Sequence, residues 1–203
     1  ARTLAVALGS RSHEAARALD FALVLCADHE LNPSTFAARV TASSGADLYA
    51  CVASAIATLS GPKHGGTCDR IEAMLGEIAS PAHAGRAIEE RTRRGEEVQG
   101  FGHRLYPDGD PRAAPLLDAA LVLGGKEPQV RTIHALVRAM RAQGREAPTV
   151  DLGLVALTAA LRLPRGSAVA TFAIGRTAGW IAHALEQRSS EYVLRPRARY
   201  TGV

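Results

Sequence analysis

The sequence predicts an all-α fold, and three observations support this prediction. Apolar residues recur with helical spacing in most segments of the 203-residue chain. No segment shows the regular alternation of apolar and polar residues that is typical of a half-buried strand. Several helical segments begin or end beside a proline or a glycine, and both residues are common at helix boundaries.

Four helices are predicted in the first half of the chain. Ser12–Asp28 carries its apolar residues on one side, whereas Asp47–Leu59 is apolar nearly all round, which predicts a buried helix. Thr67–Ile78 follows a pair of glycines. Gly85–Glu97 is highly charged, which indicates a helix face in solvent.

Four more helices are predicted in the second half. Pro111–Leu123 opens with a proline, as first helical turns often do. Val130–Gln143 is amphipathic and is followed by a glycine. Asp151–Leu163 is strongly apolar, and Ala173–Gln187 is the last predicted helix. The tail that begins at Arg195 is expected to be extended, because its proline cannot continue a helix.

Composition excludes several classes of protein. Apolar residues make up 47% of the chain, the formal net charge is +4, and the arginines are spread out rather than gathered in a basic block. This pattern argues against nucleic acid as the main partner and leaves room for small anionic ligands. No segment resembles a signal peptide or a membrane span. Because Cys26, Cys51 and Cys68 form no CxxC pair, we expect reduced, mostly buried thiols in a cytoplasmic protein.

Three histidines stand at the ends of helices or in loops. His29 lies between two acidic residues, but their spacing does not suit metal ligands on one helix face. No metal site is therefore predicted, and this motif alone favours a plain histidine at the end of a helix. His64 stands in the glycine-containing turn 61–66, before a helix whose N-terminus favours negative charge. Spacing alone supports an incidental turn histidine equally well. His103 is flanked by glycine in the loop 100–104.

Three charged residues also need an explanation. Asp151 is either a first-turn acid favoured by the helix dipole or a carboxylate base in an apolar environment that makes it more basic. Arg176 lies in an apolar helix and therefore needs an anion, which is either a side chain or a ligand. The pair Asp110-Pro111 is explained as the start of a helix. A helix start does not explain the arginine that follows it, Arg112.

In this order along the chain, six segments resemble motifs of the citrate synthase family. They are Ala27–Thr35, Gly61–Gly66, Gly100–Arg112, Pro148–Asp151, Phe172–His183 and Arg195–Gly202, and they span nearly the whole chain. The resemblance implies two mostly helical domains that close over the substrates. Residues 1–65 and 164–203 would belong to the large domain and residues 66–163 to the small one. Much of the family's large domain comes from an N-terminal region that this sequence lacks, so a fragment is expected.

The resemblance also implies which residues act on the substrates. The family's catalytic residues fall on His64, His103 and Asp151, and its oxaloacetate ligands fall on His29, Arg112, Arg176 and Arg195. In the family the last of these comes from the second subunit of a homodimer. Arginine suits this role because it pairs with carboxylates through two parallel hydrogen bonds. No cofactor, metal, nucleic acid or membrane is implied, and acetyl-CoA or another acyl-CoA is a substrate.

The implied activity is the condensation of oxaloacetate with acetyl-CoA and water to give citrate and CoA. A 2-methylcitrate synthase or a citryl-CoA lyase stays open, as does a non-catalytic metabolite-binding or regulatory protein. Two departures from the family pattern bear on this choice. Pro107 stands where the family usually has a basic residue that meets CoA phosphate. Leu152 and Leu154 follow the aspartate and are expected to give a more apolar wall, which could select another acyl group or keto acid.

Overall fold

The computed structural model describes residues 1–62 and 64–202. Within these ranges the chain forms ten α-helices and one short 3₁₀ helix, Pro81–His83. The α-helices are α1 (Arg2–Ala7), α2 (His13–Cys26), α3 (Pro33–Ser43), α4 (Leu48–Leu59), α5 (Thr67–Glu77), α6 (Ala84–Arg94), α7 (Ala113–Gly124), α8 (Pro128–Ala142), α9 (Val150–Ala160) and α10 (Ser167–Ser189). An isolated antiparallel bridge between Phe101 and Pro148 is the only strand-like pairing in these ranges. The predicted all-α fold is confirmed.

Capping side chains explain where several helices begin. Ser12 caps α2 by accepting hydrogen bonds from two backbone amides of the first turn, and Asp47 caps α4 by accepting one. Asn32 caps α3 through a 3.0 Å bond from the Thr35 amide, with proline at the first helical position. Helix α3 was not predicted, because an asparagine before a proline fits a turn as well as a helix start. Helix α1 and the first turns of α10 were not predicted either.

Helix packing forms two groups that meet at α10. Helices α2, α3 and α4 pack against α10, whereas α7 packs on α9 and α6 on α8. Helix α9 contacts both α5 and α10, so a single apolar cluster runs from Cys26 through Leu116 and Leu154 to Ala168. The division into domains at 1–65 with 164–203 and at 66–163 stays a prediction.

The burial of α4 differs from the prediction. Cys51, Ala55 and Leu59 face the core, but Tyr49 is 89% exposed and Ile56 is 48% exposed. The helix packs mainly on α3 and α10, which cover one of its faces. The exposed apolar residues therefore belong to an outer face that this chain alone does not cover.

Two further observations concern the cysteines and the longer helices. Cys26, Cys51 and Cys68 are buried free thiols, as predicted. In the part of the chain that the structure describes, no helix combines the length and apolarity that crossing a bilayer requires.

Candidate active site

A cavity of about 820 Å³ lies where the two groups of helices meet. Its wall includes His29, His64, His103, Arg112, Asp151 and Arg176, which are six of the seven residues that the resemblance singled out. The seventh, Arg195, is exposed in the C-terminal tail and does not reach the cavity of the same chain. Among the described residues, His, Cys, Asp and Glu side chains form no group that could hold a metal ion.

Backbone pairing holds the loop before α7 against the segment that leads into α9. The Gly102 amide donates to the Ala147 carbonyl at 2.9 Å, and the Thr149 amide donates to the Gly100 carbonyl at 2.9 Å. Gly100 has a φ of +88°, and a Cβ there would meet Ile71 at 2.9 Å. This pairing brings His103 and Asp151, which are far apart in sequence, to the same cavity.

His64 is anchored by a buried hydroxyl. Its Nε2 lies 2.9 Å from Oγ of Ser34, which also accepts a 3.2 Å hydrogen bond from Nε1 of Trp180. Ser34 Oγ is in turn 2.8 Å from Oδ1 of Asn32. Burial, followed by the charge of Arg176, lowers the pKa of His64, so its ring is neutral near neutral pH.

His29 and His103 form an aromatic cluster with Tyr106. The His29 and His103 ring centroids are 5.4 Å apart, and Nε2 of His29 is 3.1 Å from Oη of Tyr106. Burial and then Arg112 and Arg176 lower the pKa of His29 to about 4. Nδ1 of His103 accepts from the Leu105 amide at 3.2 Å, which leaves Nε2 to carry the proton of the neutral ring.

Arg112, which the sequence left unexplained, has an acidic partner in the structure. Its Nε and Nη2 donate to the two carboxylate oxygens of Asp110 at 2.9 and 2.8 Å. Asp110 also accepts from the amides of Arg112 and Val150, so it joins the start of α7 to the start of α9. Burial is the largest influence and raises the pKa of Asp110, but the hydrogen bonds and charge of Arg112, together with the Val150 amide, lower it overall. Helix α7 accordingly begins at Ala113, not at the predicted Pro111.

Arg176 is a buried cation with most of its hydrogen-bonding capacity unused. The residue is 1% exposed, and its Nε donates to the Cys26 carbonyl at 2.7 Å. Both Nη atoms are buried and find no hydrogen-bond partner among the described residues. Burial, followed by the charge of Arg112, lowers its pKa. A buried guanidinium with unused donors is costly unless it pairs with an anion, so this side chain is suited to bind one.

Asp151 lies in the first turn of α9 and lines the cavity. Burial raises the pKa of this carboxyl, and the Cys68 thiol, which donates to Oδ1 at 3.4 Å, opposes the shift. Leu152 and Leu154 do not form the predicted apolar wall, because both are fully buried in the core. The apolar part of the wall comes instead from Leu31, Leu105, Val150, Val169 and Phe172.

Several polar contributors to the site were not predicted from the sequence, among them Ser34, Tyr106 and Cys68. Tyr106 lies three residues after His103 in the same loop, and its position beside a motif histidine was the available signal. Cys68 follows the glycine turn by two residues, and no sequence signal set it apart from the other buried thiols.

Comparisons with known proteins agree with this arrangement. A family model described as "Citrate synthase, C-terminal domain" matches residues 1–197. The citrate synthase of Haloferax volcanii is 41% identical over 191 residues, which are 92% of this chain and 50% of that protein. The chain spans about half the length of the curated relatives it matches.

Solved structures give the same result for the fold. Citrate synthase from Thermotoga maritima has a TM-score of 0.85 at 34% identity, and the match covers 96% of this chain and 55% of that one. Citrate synthase from Thermoplasma acidophilum, in a ternary complex with carboxymethyl coenzyme A and oxaloacetate, has a TM-score of 0.84 at 31% identity, covering 98% and 56%. Sequence and fold therefore agree along nearly the whole chain, and the chain belongs to the citrate synthase family.

Proposed function

We propose that the protein containing this chain condenses acetyl-CoA with oxaloacetate and water to give citrate and CoA. The observation that carries the proposal is the pair of unpartnered, buried Nη atoms of Arg176 in a cavity that, among the described residues, also holds Asp151 and three histidines. The similarity to a citrate synthase solved with carboxymethyl coenzyme A and oxaloacetate supports it. Membership in the citrate synthase family supports an acyltransferase reaction of this class.

Oxaloacetate would bind through its two carboxylates. Arg176 offers both Nη atoms, and Arg112 offers the Nη1 that has no partner among the described residues. His29 is neutral near neutral pH and adds a hydrogen bond. Arg195 would complete the site from a second copy of the chain, because the exposed tail that carries it lies outside the cavity of its own chain. A homodimer is therefore part of the proposal.

The first chemical step would be removal of a proton from the acetyl methyl group by Asp151, whose raised pKa makes it a stronger base. His64 would donate from Nδ1 to the thioester oxygen as negative charge develops there. For this tautomer the Ser34 hydroxyl has to turn its proton from Asn32 Oδ1 to Nε2 of His64. The enol carbon would then attack the keto carbon of oxaloacetate.

His103 would assist that attack at the keto oxygen. Its Nδ1 already accepts from the Leu105 amide, so the proton on Nε2 is available to polarise and then protonate this oxygen. Water would then hydrolyse the citryl-CoA thioester and release CoA. Closure of the two groups of helices over the cavity would keep water away during the enol stage.

The experiment is thiol release from acetyl-CoA by the full-length protein with oxaloacetate present. We expect turnover that Asp151→Asn abolishes. Faster turnover of propionyl-CoA would instead indicate a 2-methylcitrate synthase, and cleavage of citryl-CoA without condensation would indicate a lyase. Oxaloacetate binding with no turnover of any of these would favour a non-catalytic metabolite-binding protein. The isolated 203-residue chain is expected to show little activity.

A further inference from the structure

The thiol of Cys68 contacts the carboxylate of Asp151 at the cavity wall. Cys68 lies in the first turn of α5, and its Sγ is 3.4 Å from Oδ1 of Asp151 in the first turn of α9. The cysteine is 2% exposed and lines the cavity. No other side chain in residues 1–62 and 64–202 hydrogen-bonds to this carboxylate.

The protonation states of the two groups decide which of them donates the hydrogen bond. An ionised carboxylate can only accept a hydrogen bond, and a thiol can donate one. Burial, followed by the charge of Asp151, raises the pKa of Cys68 well above its ordinary value, so the thiol keeps its proton. The hydrogen bond therefore runs from the sulfur to Oδ1 and leaves Oδ2 without a side-chain partner among the described residues.

We propose that Cys68 is a positioning residue for Asp151, because its S–H holds Oδ1 in place and leaves Oδ2 to take the proton from the substrate. The inference deepens the proposed function and rests on it. A thiol is a weak hydrogen-bond donor, so it holds the carboxylate in place and lowers the carboxyl pKa only slightly. A stronger donor at the same place would stabilise the ionised form more and make Asp151 a poorer base.

A packing role is the competing explanation. Cys68 also belongs to the apolar cluster with Ile71 and Leu75, where a buried thiol behaves as a small apolar side chain. If Cys68 only fills space, an apolar replacement removes no hydrogen bond from Asp151 and leaves the pKa of that carboxyl unchanged. The two explanations therefore differ in what Cys68→Ala does to the titration of Asp151.

The test measures the titration of Asp151 directly in the full-length protein. The ¹³C resonance of the Asp151 carboxyl, assigned by its loss in Asp151→Asn, is followed against pH. We expect Cys68→Ala to raise the pKa of Asp151 and Cys68→Ser to lower it, each by about half a unit. Cys51→Ala removes a buried thiol from α4, outside the cavity wall, and should leave the titration unchanged.

The pH profile of kcat/KM gives the second readout. The acidic limb of this profile should move with the pKa of Asp151, to higher pH in Cys68→Ala and to lower pH in Cys68→Ser. Unchanged titration in Cys68→Ala would overturn the proposal. If that variant does not fold, unchanged titration in Cys68→Ser would overturn it, because position 68 would then not contact the carboxylate. If the carboxyl shifts as expected but no form turns over substrate, the positioning contact stands and the proposed reaction fails.

Discussion

Gly179 of α10 packs directly on the backbone carbonyl of Ala27 at the end of α2: a Cβ at position 179 would lie 2.1 Å from that oxygen. One turn earlier, a Cβ at Gly175 would lie 2.8 Å from the Leu23 carbonyl. Arg176 stands between the two contacts and reaches the Cys26 carbonyl. The close approach of these helices therefore sets the position of the buried guanidinium relative to His29.

Replacing Gly179 with alanine should consequently destabilise the fold. The added methyl forces α10 away from α2, and we expect the free energy of unfolding to fall by about 1–3 kcal/mol in urea denaturation. Gly85→Ala in α6 is the matched control, because a Cβ at position 85 would meet no atom within 4 Å. That variant should be neutral or slightly stabilising. Equal losses in both variants would refute the packing account.

Arg176→Leu should weaken oxaloacetate binding without unfolding the protein. The loss of charge-assisted hydrogen bonds predicts an affinity lower by roughly 10- to 100-fold in calorimetry. The unfolding free energy should stay the same or rise, because the variant removes a buried cation whose Nη atoms lack partners among the described residues. Arg162→Leu, which breaks an exposed pair with Glu127, should change neither binding nor, appreciably, stability. Unchanged affinity in Arg176→Leu would remove the main support for the anion site.

Asp110→Asn should be strongly destabilising. It leaves Arg112 without its carboxylate in a partly buried site, and breaking such a pair costs about 3 kcal/mol. The exposed Asp118 of α7 provides the control, since Asp118→Asn should have little effect on unfolding. A mild effect at position 110, similar to that at 118, would mean that the carboxylate does not join α7 to α9.

His29 should make stability depend on pH. Its pKa is lowered from 6.5 to about 4 in the fold. Between pH 6.5 and about 4 the ring is therefore protonated in the unfolded chain and neutral in the folded one. Stability therefore falls as pH drops from 6.5 to about 4 and levels off below that. The loss from this residue is about 1–2 kcal/mol after allowance for its partial exposure.

Removing the histidine provides the check on that prediction. His29→Gln should flatten this part of the stability profile, whereas His13→Gln at the exposed start of α2 should not. Saturating oxaloacetate should also flatten it, because a bound dianion favours the protonated ring. Identical profiles for the protein and His29→Gln would contradict the assignment.

Pro107→Arg tests the departure from the family pattern in the loop before α7. Pro107 is exposed, so an arginine there is free to reach a phosphate of CoA. A well-formed charge-assisted contact would tighten acyl-CoA binding by roughly 10- to 100-fold in the full-length protein. Pro107→Gln separates the charge from the loss of the proline ring. No gain from arginine over glutamine would mean that the phosphate is bound elsewhere.

The helices were predictable because their signals are local. Ser12 and Asp47 cap the helices whose apolar spacing follows them, and the bounds of α2 and α4 agree with the prediction within two residues. Helix α3 was missed because Asn32 before a proline is equally consistent with a turn and with a helix start. The exposure of Tyr49 depends on which helices cover α4, and that information is not in the segment itself.

The resemblance assigned His29 and Asp151 to the candidate site. From the residues alone, the site was predictable only where a residue stood out from its neighbours. Arg176 in an apolar helix and the glycine-flanked His64 and His103 were such residues. Cys68 and Tyr106 were not, because their partners lie 83 and 77 residues away and the contacts exist only in the folded chain.

The bond between Arg176 and the Cys26 carbonyl joins residues that are 150 positions apart, which has a consequence for the chain during translation. At about 5–20 residues per second, about 8–30 s pass between the synthesis of the two partners. Throughout that interval the apolar face of α2 has no α10 to cover it, and the nascent polypeptide has no anion site. An anion bound by Arg176 therefore cannot assist folding on the ribosome until α10 has emerged.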